Sequence, residues 1–308
     1  MISGRISPQP SGNDQGPENT PSSVPHSTEH GGSREVADPS NPMANARTFH
    51  RAEHRADGKT LLVYISGQFR RWNGAYWPVL DEEVLRAEIR RFFEYAYYMG
   101  RADAALVKKW FKPNKSRVGE IVDALKALTI KADGEIPSWL NPKYTIPPDE
   151  ILPMKNGLLW IPHRILLSPT PEFFNAYALP YEFDPDAPPP KRWLRFLDEL
   201  FGDDEEAKKL LQEWMGYLLT ADTSQQKILL MVGPPRSGKG TIGRVTGKLL
   251  GEHNVAGTTM SSLGDPHGLE ELVDKLAAFS SDVRMPRSNQ TSTAIERLLT
   301  ISGEDPVP

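Results

Sequence analysis

The chain has 308 residues, 38% of them apolar, which is enough for two modest domains with their own cores. It contains no cysteine, which excludes disulfides, cysteine-ligated zinc and a thiol nucleophile and is compatible with a cytoplasmic location. The net charge of −4 does not exclude a local basic surface. We expect no signal peptide and no membrane association, because no apolar run approaches the length of a membrane span.

Residues 1–47 are rich in Pro, Ser, Gly, Asn and Glu and have almost no large apolar side chains. Such a composition cannot bury enough surface to offset the entropy lost on ordering. The sequence therefore predicts a disordered N-terminal tail.

Residues 48–178 are predicted to form a small α+β domain. Asn73-Gly74 lies between aromatic runs and is typical of a type I′ hairpin turn. Asp81 is the expected cap of a helix that runs to about Met99, with Val84, Leu85, Ile89, Phe92 and Phe93 along its apolar stripe. A second helix is expected from about Arg117 to Leu128.

Two groups of residues in this domain have a composition that suits nucleic acid. The first is Arg70, Arg71, Trp72, Tyr76 and Trp77. Aromatic faces stack on bases and arginines bind phosphate, but a core face with solvated arginines explains the same pattern and is favoured. The second is the basic group Lys108, Lys109, Lys112, Lys115 and Arg117. A DNA-contacting surface and a solvated helix end remain equally open for it.

Residues 179–190 contain consecutive prolines and are predicted to be an extended linker. Two helices follow, at about Trp193 to Phe201 and Asp204 to Thr220. Acidic residues suit the start of the second helix. Both helices are expected to pack against the domain formed by residues 191–308.

The pattern from Lys227 to Leu250 predicts a nucleoside triphosphate site. Ile228–Val232 has the length and composition of a fully buried strand, and a helix is expected from Thr241 to Leu250. Between them the expected ATP-binding residues are Gly233, Pro234, Pro235, Arg236, Ser237, Gly238, Lys239, Gly240 and Thr241. Backbone N–H groups of such a loop face a phosphate at the positive end of the helix dipole, and Lys239 reaches the β- and γ-phosphates. The alternative is a glycine-rich turn without a ligand.

Gly240 occupies the position where the usual pattern has the hydroxyl ligand of Mg²⁺. Either Thr241 substitutes for it or an acidic side chain elsewhere holds the ion. The candidate is Asp282, which ends a short apolar run that would lie beside the strand of the loop. There Asp282 would hold Mg²⁺ and help to orient water, which makes Lys239 and Asp282 the expected catalytic residues. An ordinary acidic residue at a strand end is the alternative.

The chain resembles the C-terminal superfamily 3 helicase region of the phage and plasmid primase family, which is an AAA+ P-loop ATPase. Four stretches downstream carry this resemblance: Gly233 to Arg244, Ser261 to Gly268, Ser281 to Arg284, and Glu296 to Asp305. Upstream stretches that are similar to the family are Asn156 to Leu159, Ala178 to Tyr181 and Leu210 to Thr220. The resemblance covers roughly Leu61 to Asp305 and implies an α/β fold with a P-loop AAA+ core after the smaller α+β domain.

The resemblance also implies a function. It implies ATP-dependent translocation on single-stranded or forked DNA in replication, with Mg²⁺, by a homo-hexamer that works with other replication proteins. In the family, a basic DNA-contacting stretch, a sensor asparagine and an arginine finger follow Gly-Glu-Asp. Here Gly303-Glu304-Asp305 is followed only by residues 306–308, so we expect a truncated helicase ATPase domain.

Two other functions compete with a working helicase. A nucleotide- or DNA-binding fragment that does not hydrolyse ATP is one of them. A nucleoside monophosphate kinase is the other, because adenylate kinases have a similar loop. In such kinases, however, the loop lies near the N-terminus and a long lid-forming segment follows, whereas here only residues 240–308 follow Lys239.

Overall fold

The computed structural model describes residues 34–35, 39–102, 105–131, 136–265, 267–280 and 290–303, which form a mixed α/β protein with several small sheets. The helices are α1 (Pro42–Glu53), α2 (Glu82–Phe93), α3 (Lys115–Thr129), α4 (Lys191–Phe201), α5 (Glu205–Tyr217), α6 (Lys239–Leu250), α7 (Met260–Gly264) and α8 (Gln290–Ser302). The described helices include none with the length and apolar character that crossing a membrane requires.

The strands are short and are distributed along the chain. They are β1 (Arg34–Glu35), β2 (Arg55–Ala56), β3 (Lys59–Thr60), β4 (Leu62–Ile65), β5 (Gln68–Arg71), β6 (Val79–Leu80), β7 (Ala96–Ala102), β8 (Ala105–Trp110), β9 (Ser138–Trp139), β10 (Ile151–Met154), β11 (Gly157–Trp160), β12 (Ile165–Leu167), β13 (Phe173–Phe174), β14 (Val255–Gly257) and β15 (Ala277–Phe279). Three sheets have three strands each, in the orders β1-β7-β8, β4-β5-β6 and β10-β11-β12. The remaining strands pair as β2 with β3, β9 with β13, and β14 with β15.

The two-residue turn between β4 and β5 is formed by Ser66 and Gly67. Their φ angles are 48° and 77°, and a type I′ turn needs a positive φ at both positions. The expected turn at Asn73-Gly74 instead lies in the longer connection from β5 to β6. There the Asn73 side chain accepts hydrogen bonds from the N–H groups of Ala75 and Tyr76. The strands do pair across this connection, but the prediction of a two-residue turn was wrong.

Helix α2 begins as predicted and ends earlier. The Asp81 carboxylate accepts hydrogen bonds from the N–H groups of Glu83 (2.7 Å) and Val84 (3.2 Å), which confirms the cap. The helix stops at Phe93 and not near Met99, because residues 96–102 form β7 and pair with β8. Leu85, Ile89, Phe92 and Phe93 are buried as expected, whereas Val84 is exposed.

The largest core lies among α1, α2, α3 and the sheet of β4, β5 and β6. Helix α1 begins at Pro42, so residues 42–47 of the segment expected to be disordered are helical. The Asn41 side chain caps the helix by accepting a hydrogen bond from the Ala44 N–H at 3.0 Å. Ala46 and Phe49 are fully buried in this core, which supplies the apolar contact that composition alone did not indicate. Residues 1–33 lie outside the described part of the chain.

A second core joins α4, α5 and α6. It is built on Leu197, Leu211, Met215 and Ile242. Helices α4 and α5 confirm the two helices predicted after the proline-rich segment, within a few residues at each end. Their apolar sides pack against α6, the helix that begins at Lys239.

The apolar run Ile228–Val232 was predicted to be a fully buried strand, and this prediction was wrong. Among the described residues, no strand pairs with it. Leu229 and Met231 pack against the core of α4, α5 and α6, whereas Ile228, Leu230 and Val232 point away, and Val232 is 87% exposed. Successive side chains of an extended segment point to opposite sides, so only a layer on each side would bury all five residues.

The strand expected next to this run is β15, but it lies elsewhere. It pairs in parallel with β14, in the register Val255 with Ala277 and Gly257 with Phe279. The predicted pairing of β15 with Ile228–Val232 was therefore also wrong. Asp282, three positions after Phe279, lies outside the described residues.

An ion pair between a buried arginine and a partly exposed aspartate connects β5 to the segment before β15. Arg70 is 5% exposed, and its guanidinium donates to the Trp77 carbonyl at 3.1 Å and to the Asp274 carboxylate at 2.6 Å. Arg71 donates to both carboxylate oxygens of Glu88 at 2.9 Å. The prediction that the arginines are solvated was wrong for Arg70, whereas the Arg71 side chain is 32% exposed. Trp77 is confirmed as a core residue. Arg70 and Trp77 are therefore not available to nucleic acid.

A second buried polar residue, His54, lies just after α1 with its ring against Phe49, the centroids 5.1 Å apart. Neither ring nitrogen has a hydrogen-bond partner in the described part of the chain. Burial lowers the pKa of His54 to about 3, and the charges of Arg71 and His50 act in the same direction. The folded protein therefore holds this imidazole in its neutral form.

Because the pKa of His54 falls from 6.5 to about 3 on folding, the unfolded chain takes up the proton first as the pH decreases. The free energy of unfolding should be undiminished above the unfolded pKa and fall below it, by at most about 1.4 kcal/mol per pH unit. Urea denaturation across this range should show a flatter pH dependence for His54→Phe. An unchanged slope in His54→Phe, or an equal flattening in the exposed control His253→Phe, would contradict this expectation.

Replacing Asp274 by Asn should leave the Arg70 charge buried without its anionic partner. We expect a loss of about 1–3 kcal/mol in the free energy of unfolding, measured by urea denaturation. Asp186→Asn, an exposed aspartate in the proline-rich segment, is the matched control and should change it by no more than about 0.5 kcal/mol. Equal stability of the two variants would show that the ion pair does not hold this segment.

Candidate nucleotide-binding site

The expected phosphate-binding loop lies between the extended run Ile228–Val232 and helix α6. The helix begins at Lys239, and Gly238 is its N-cap residue. The chain turns sharply through Arg236 (φ 64°) and Gly238 (φ 79°), both in the left-handed region. Within the described residues, no side chain caps the start of α6, so its first N–H groups face outward from the helix end.

The two glycines that frame the loop lie close to neighbouring side chains. A Cβ atom on Gly233 would lie 2.9 Å from the Ser237 hydroxyl. A Cβ atom on Gly238 would lie 3.1–3.2 Å from the side chains of Phe196 and Leu200. The loop therefore curls tightly on itself and lies directly against α4.

The ammonium group of Lys239 lies inside this curl. It donates hydrogen bonds to the carbonyls of Gly233 (2.7 Å) and Pro234 (2.9 Å) and to the Ser237 hydroxyl (3.1 Å). All three of these partners are neutral, so these contacts orient the positive charge without compensating it. A phosphate group would offer the lysine a charged acceptor, and hydrogen bonds between charged groups are the stronger ones.

A cavity of about 780 Å³ opens over the loop. Besides the loop, it is lined by Phe196, Glu199 and Leu200 of α4 and by Arg244 of α6. This volume is in the range of small-molecule and cofactor sites. The sequence did not identify the α4 residues as part of the site; the signal was the helical spacing of Trp193, Phe196 and Leu200, which marks the apolar side of α4.

The proposed metal ligands are only partly described. The Thr241 hydroxyl accepts a hydrogen bond from the Arg244 guanidinium at 3.1 Å. A hydroxyl that faces a guanidinium must exchange that partner before it can bind a cation. Asp282 lies outside the described residues, and the part of the chain that is described contains no cluster of three metal-ligating side chains.

The site is thus a glycine-framed loop at a helix N-terminus in a mixed α/β protein, next to an α+β region that carries most of the core. Comparison with known families assigns that region to a family. The family model described as D5 N terminal like matches residues 48–202, half of the chain. The chain belongs to this family, which associates it with phage and plasmid primase-helicases and confirms that part of the expected resemblance. The loop at residues 233–241 lies beyond the matched region.

A curated relative is the uncharacterized mitochondrial protein ymf21 of Marchantia polymorpha. The two are 31% identical over 91 residues, which is 30% of this chain and 48% of the relative. The chain thus spans about half the length of that relative, whose name states no activity.

Gly238→Ala should destabilise the loop, because it adds a Cβ at a positive φ and against Phe196. The left-handed conformation alone costs a non-glycine residue about 1–2 kcal/mol. Gly243→Ala is the matched control, since a Cβ there meets no atom within 4 Å and lies inside α6. It should stabilise the protein by up to about 1 kcal/mol. Urea denaturation measures both, and effects of the same sign would contradict the described loop.

Proposed function

We propose that this chain binds ATP at residues 233–241 and is the nucleotide-binding part of a phage- or plasmid-type primase-helicase. The observation that carries the proposal is the position of Lys239, whose ammonium lies inside the loop among neutral oxygens beneath the cavity. Arg236 and Arg244 also line this cavity, and Glu199 is the one acidic residue of its described lining. The electrostatic balance favours a polyanion such as a triphosphate.

The phosphates and the base of the nucleotide have counterparts in the site. The loop N–H groups and the start of α6 would bind the phosphates. Lys239 would exchange its carbonyl partners for the β- and γ-phosphate oxygens. The base would lie against Phe196, whose side chain lines the cavity and borders Gly238.

Thr241 and Asp282 are the residues that we propose hold Mg²⁺. Bound there, the ion would neutralise charge that develops on the phosphates. Thr241 would first release Arg244, which is then able to contact the phosphates. Asp282 would help to orient the attacking water, and Lys239 would stabilise the transferred phosphoryl group.

In the full function that we propose, hydrolysis drives translocation on single-stranded or forked DNA during replication. The assembly would be a homo-hexamer that works with other replication proteins. Family membership over residues 48–202 supports the replication context. We also propose that residues 191–308 form a truncated ATPase core of the AAA+ superfamily 3 helicase type.

A second candidate function is nucleotide binding without turnover. It is favoured by the run Ile228–Val232, which leads into the loop and pairs with no strand in the described part of the chain. Catalysis requires reacting groups held within a fraction of an ångström. A loop that is anchored on only one side can bind phosphate and yet fail to hold that geometry.

Nucleotide binding and ATP hydrolysis should be measured on the same samples, with and without single-stranded DNA. Lys239→Ala should weaken ATP binding roughly 10- to 150-fold, because hydrogen bonds to charged groups contribute about 1.5–3 kcal/mol. The control Lys248→Ala, an exposed lysine on α6 outside the cavity lining, should bind as the natural chain does.

The three possible results separate the two functions. DNA-stimulated turnover that is lost in both Lys239→Ala and Asp282→Ala supports the motor. Binding that depends on Lys239 without any turnover supports the second candidate. Absence of nucleotide binding, or equal binding by Lys239→Ala and Lys248→Ala, overturns the nucleotide site.

A further inference from the structure

Strands β7 and β8 form an antiparallel hairpin whose two faces differ in chemistry. In its register Tyr97 lies opposite Trp110, Met99 opposite Lys108, and Arg101 opposite Leu106. Because side chains alternate along each strand, these six residues share one face, here called the outer face. The opposite face leads into the main core, where Tyr98 packs and Phe111 is fully buried.

The outer face exposes large apolar side chains. Trp110 is 51% exposed, Leu106 66% and Met99 45%. Exposure of one apolar residue is ordinary, but a contiguous set on one sheet face is typical of an interaction site. The main core anchors the other side of the same hairpin, so this exposure does not come from a frayed strand.

A lysine lies between the two aromatic rings of the outer face. The Lys108 ammonium is 4.1 Å from the Tyr97 ring centroid and 4.7 Å from the Trp110 ring centroid. These contacts place a positive charge next to a half-exposed indole. A flat aromatic surface beside a cation matches a ligand that offers a base face and a phosphate together.

The region around the hairpin is basic although the whole chain has a net charge of −4. Residues 95–117 contain six basic side chains and one acidic residue, Asp103, which lies outside the described residues. The six are Arg101, Lys108, Lys109, Lys112, Lys115 and Arg117. Basic side chains thus outnumber acidic ones in the segment that exposes the aromatic residues.

These basic residues have two kinds of role. Lys109 donates to the Arg101 carbonyl at 3.0 Å, and Arg117 donates to the carbonyls of Phe111 and Lys112, so both hold the hairpin and its base. Lys112 and Lys115, in contrast, are exposed near the start of α3 and can reach an anion. Lys109 and Arg117 therefore stabilise the hairpin, whereas Lys112 and Lys115 are available to bind an anion.

We propose that the outer face of the β7–β8 hairpin binds single-stranded nucleic acid. Bases stack on Trp110 and Tyr97, and phosphates contact Lys112 and Lys115. A double helix hides the faces of its bases, so it cannot use the aromatic pair, whereas a single strand presents bases and phosphates alternately. This inference rests on the proposed function only in so far as that function includes binding to DNA. It assigns the DNA contact to residues other than 233–241.

The test measures binding of a labelled oligothymidylate to the full chain by fluorescence anisotropy, without nucleotide. Trp110→Ala should weaken binding roughly 5- to 150-fold, since a stacked base contributes about 1–3 kcal/mol. Trp110→Phe keeps a ring and should retain most of the affinity, whereas Trp110→Leu keeps only the apolar bulk and should behave like Trp110→Ala. Equal affinities for Trp110→Phe and Trp110→Leu would overturn the stacking role.

The lysines are tested by the salt dependence of binding. Lys112→Ala and Lys115→Ala should each reduce the slope of log affinity against log salt concentration by about 0.7, the value for one phosphate contact of a single strand. Lys143→Ala, an exposed lysine outside residues 95–117, should leave the slope unchanged. The same slope in all three variants, or tighter binding of duplex than of single strand, would overturn the proposal.

Two further measurements keep this test independent of folding and of the nucleotide site. Quenching of tryptophan fluorescence by the oligonucleotide should be smaller in Trp110→Phe than in the natural chain, because the stacked indole is gone. Lys239→Ala should bind the oligonucleotide normally. If only nucleotide binding is lost, the proposal for the hairpin surface is unaffected. Unchanged quenching in Trp110→Phe would contradict the proposal.

Discussion

The buried guanidinium of Arg70 is the constraint that connects the family-matched region to the segment before β15, whereas α4 of the same region packs directly against the nucleotide loop. Arg70 lies in the sheet of β4, β5 and β6, and its carboxylate partner, Asp274, is 204 residues away in the chain. A charge that is almost completely removed from water must be paired, so this one fixes where the chain passes before β15. The same guanidinium holds the carbonyl of Trp77, a fully buried residue of the core cluster that includes Val63 and Phe174.

The two surfaces with a proposed function obey a common physical rule. In each, a lysine is held by groups that orient its ammonium, three neutral oxygens around Lys239 and two aromatic rings around Lys108. Lys239 lies at a helix N-terminus, where a phosphate chain would bind. Lys108 adds positive charge beside the exposed rings of the hairpin, where Lys112 and Lys115 would contact the phosphates. The ligands therefore differ in shape although both are polyanions.

The parts of the fold that the sequence predicted well depend on short-range chemistry. The Asp81 cap, helix α3 and the pair α4 and α5 were found close to their expected bounds, because capping and helical periodicity act over a few residues. Gly238 has a left-handed conformation at the start of α6, which is also a local demand that favours glycine. The family suggested by the motifs is confirmed for residues 48–202.

The sequence by itself therefore determined local features: the helix caps, the helical stripes, the loop that begins at Gly233 and the basic composition around residue 110. Only the tertiary structure decided the rest, because it depends on partners that are distant in the chain. Pairing between β7 and β8 ended α2 at Phe93. The run Ile228–Val232 is exposed on one side because no layer of the described structure covers its second face. The Asp274 carboxylate turned an arginine that composition predicted to be solvated into a buried one, since burial of a charge is decided by what lies opposite it.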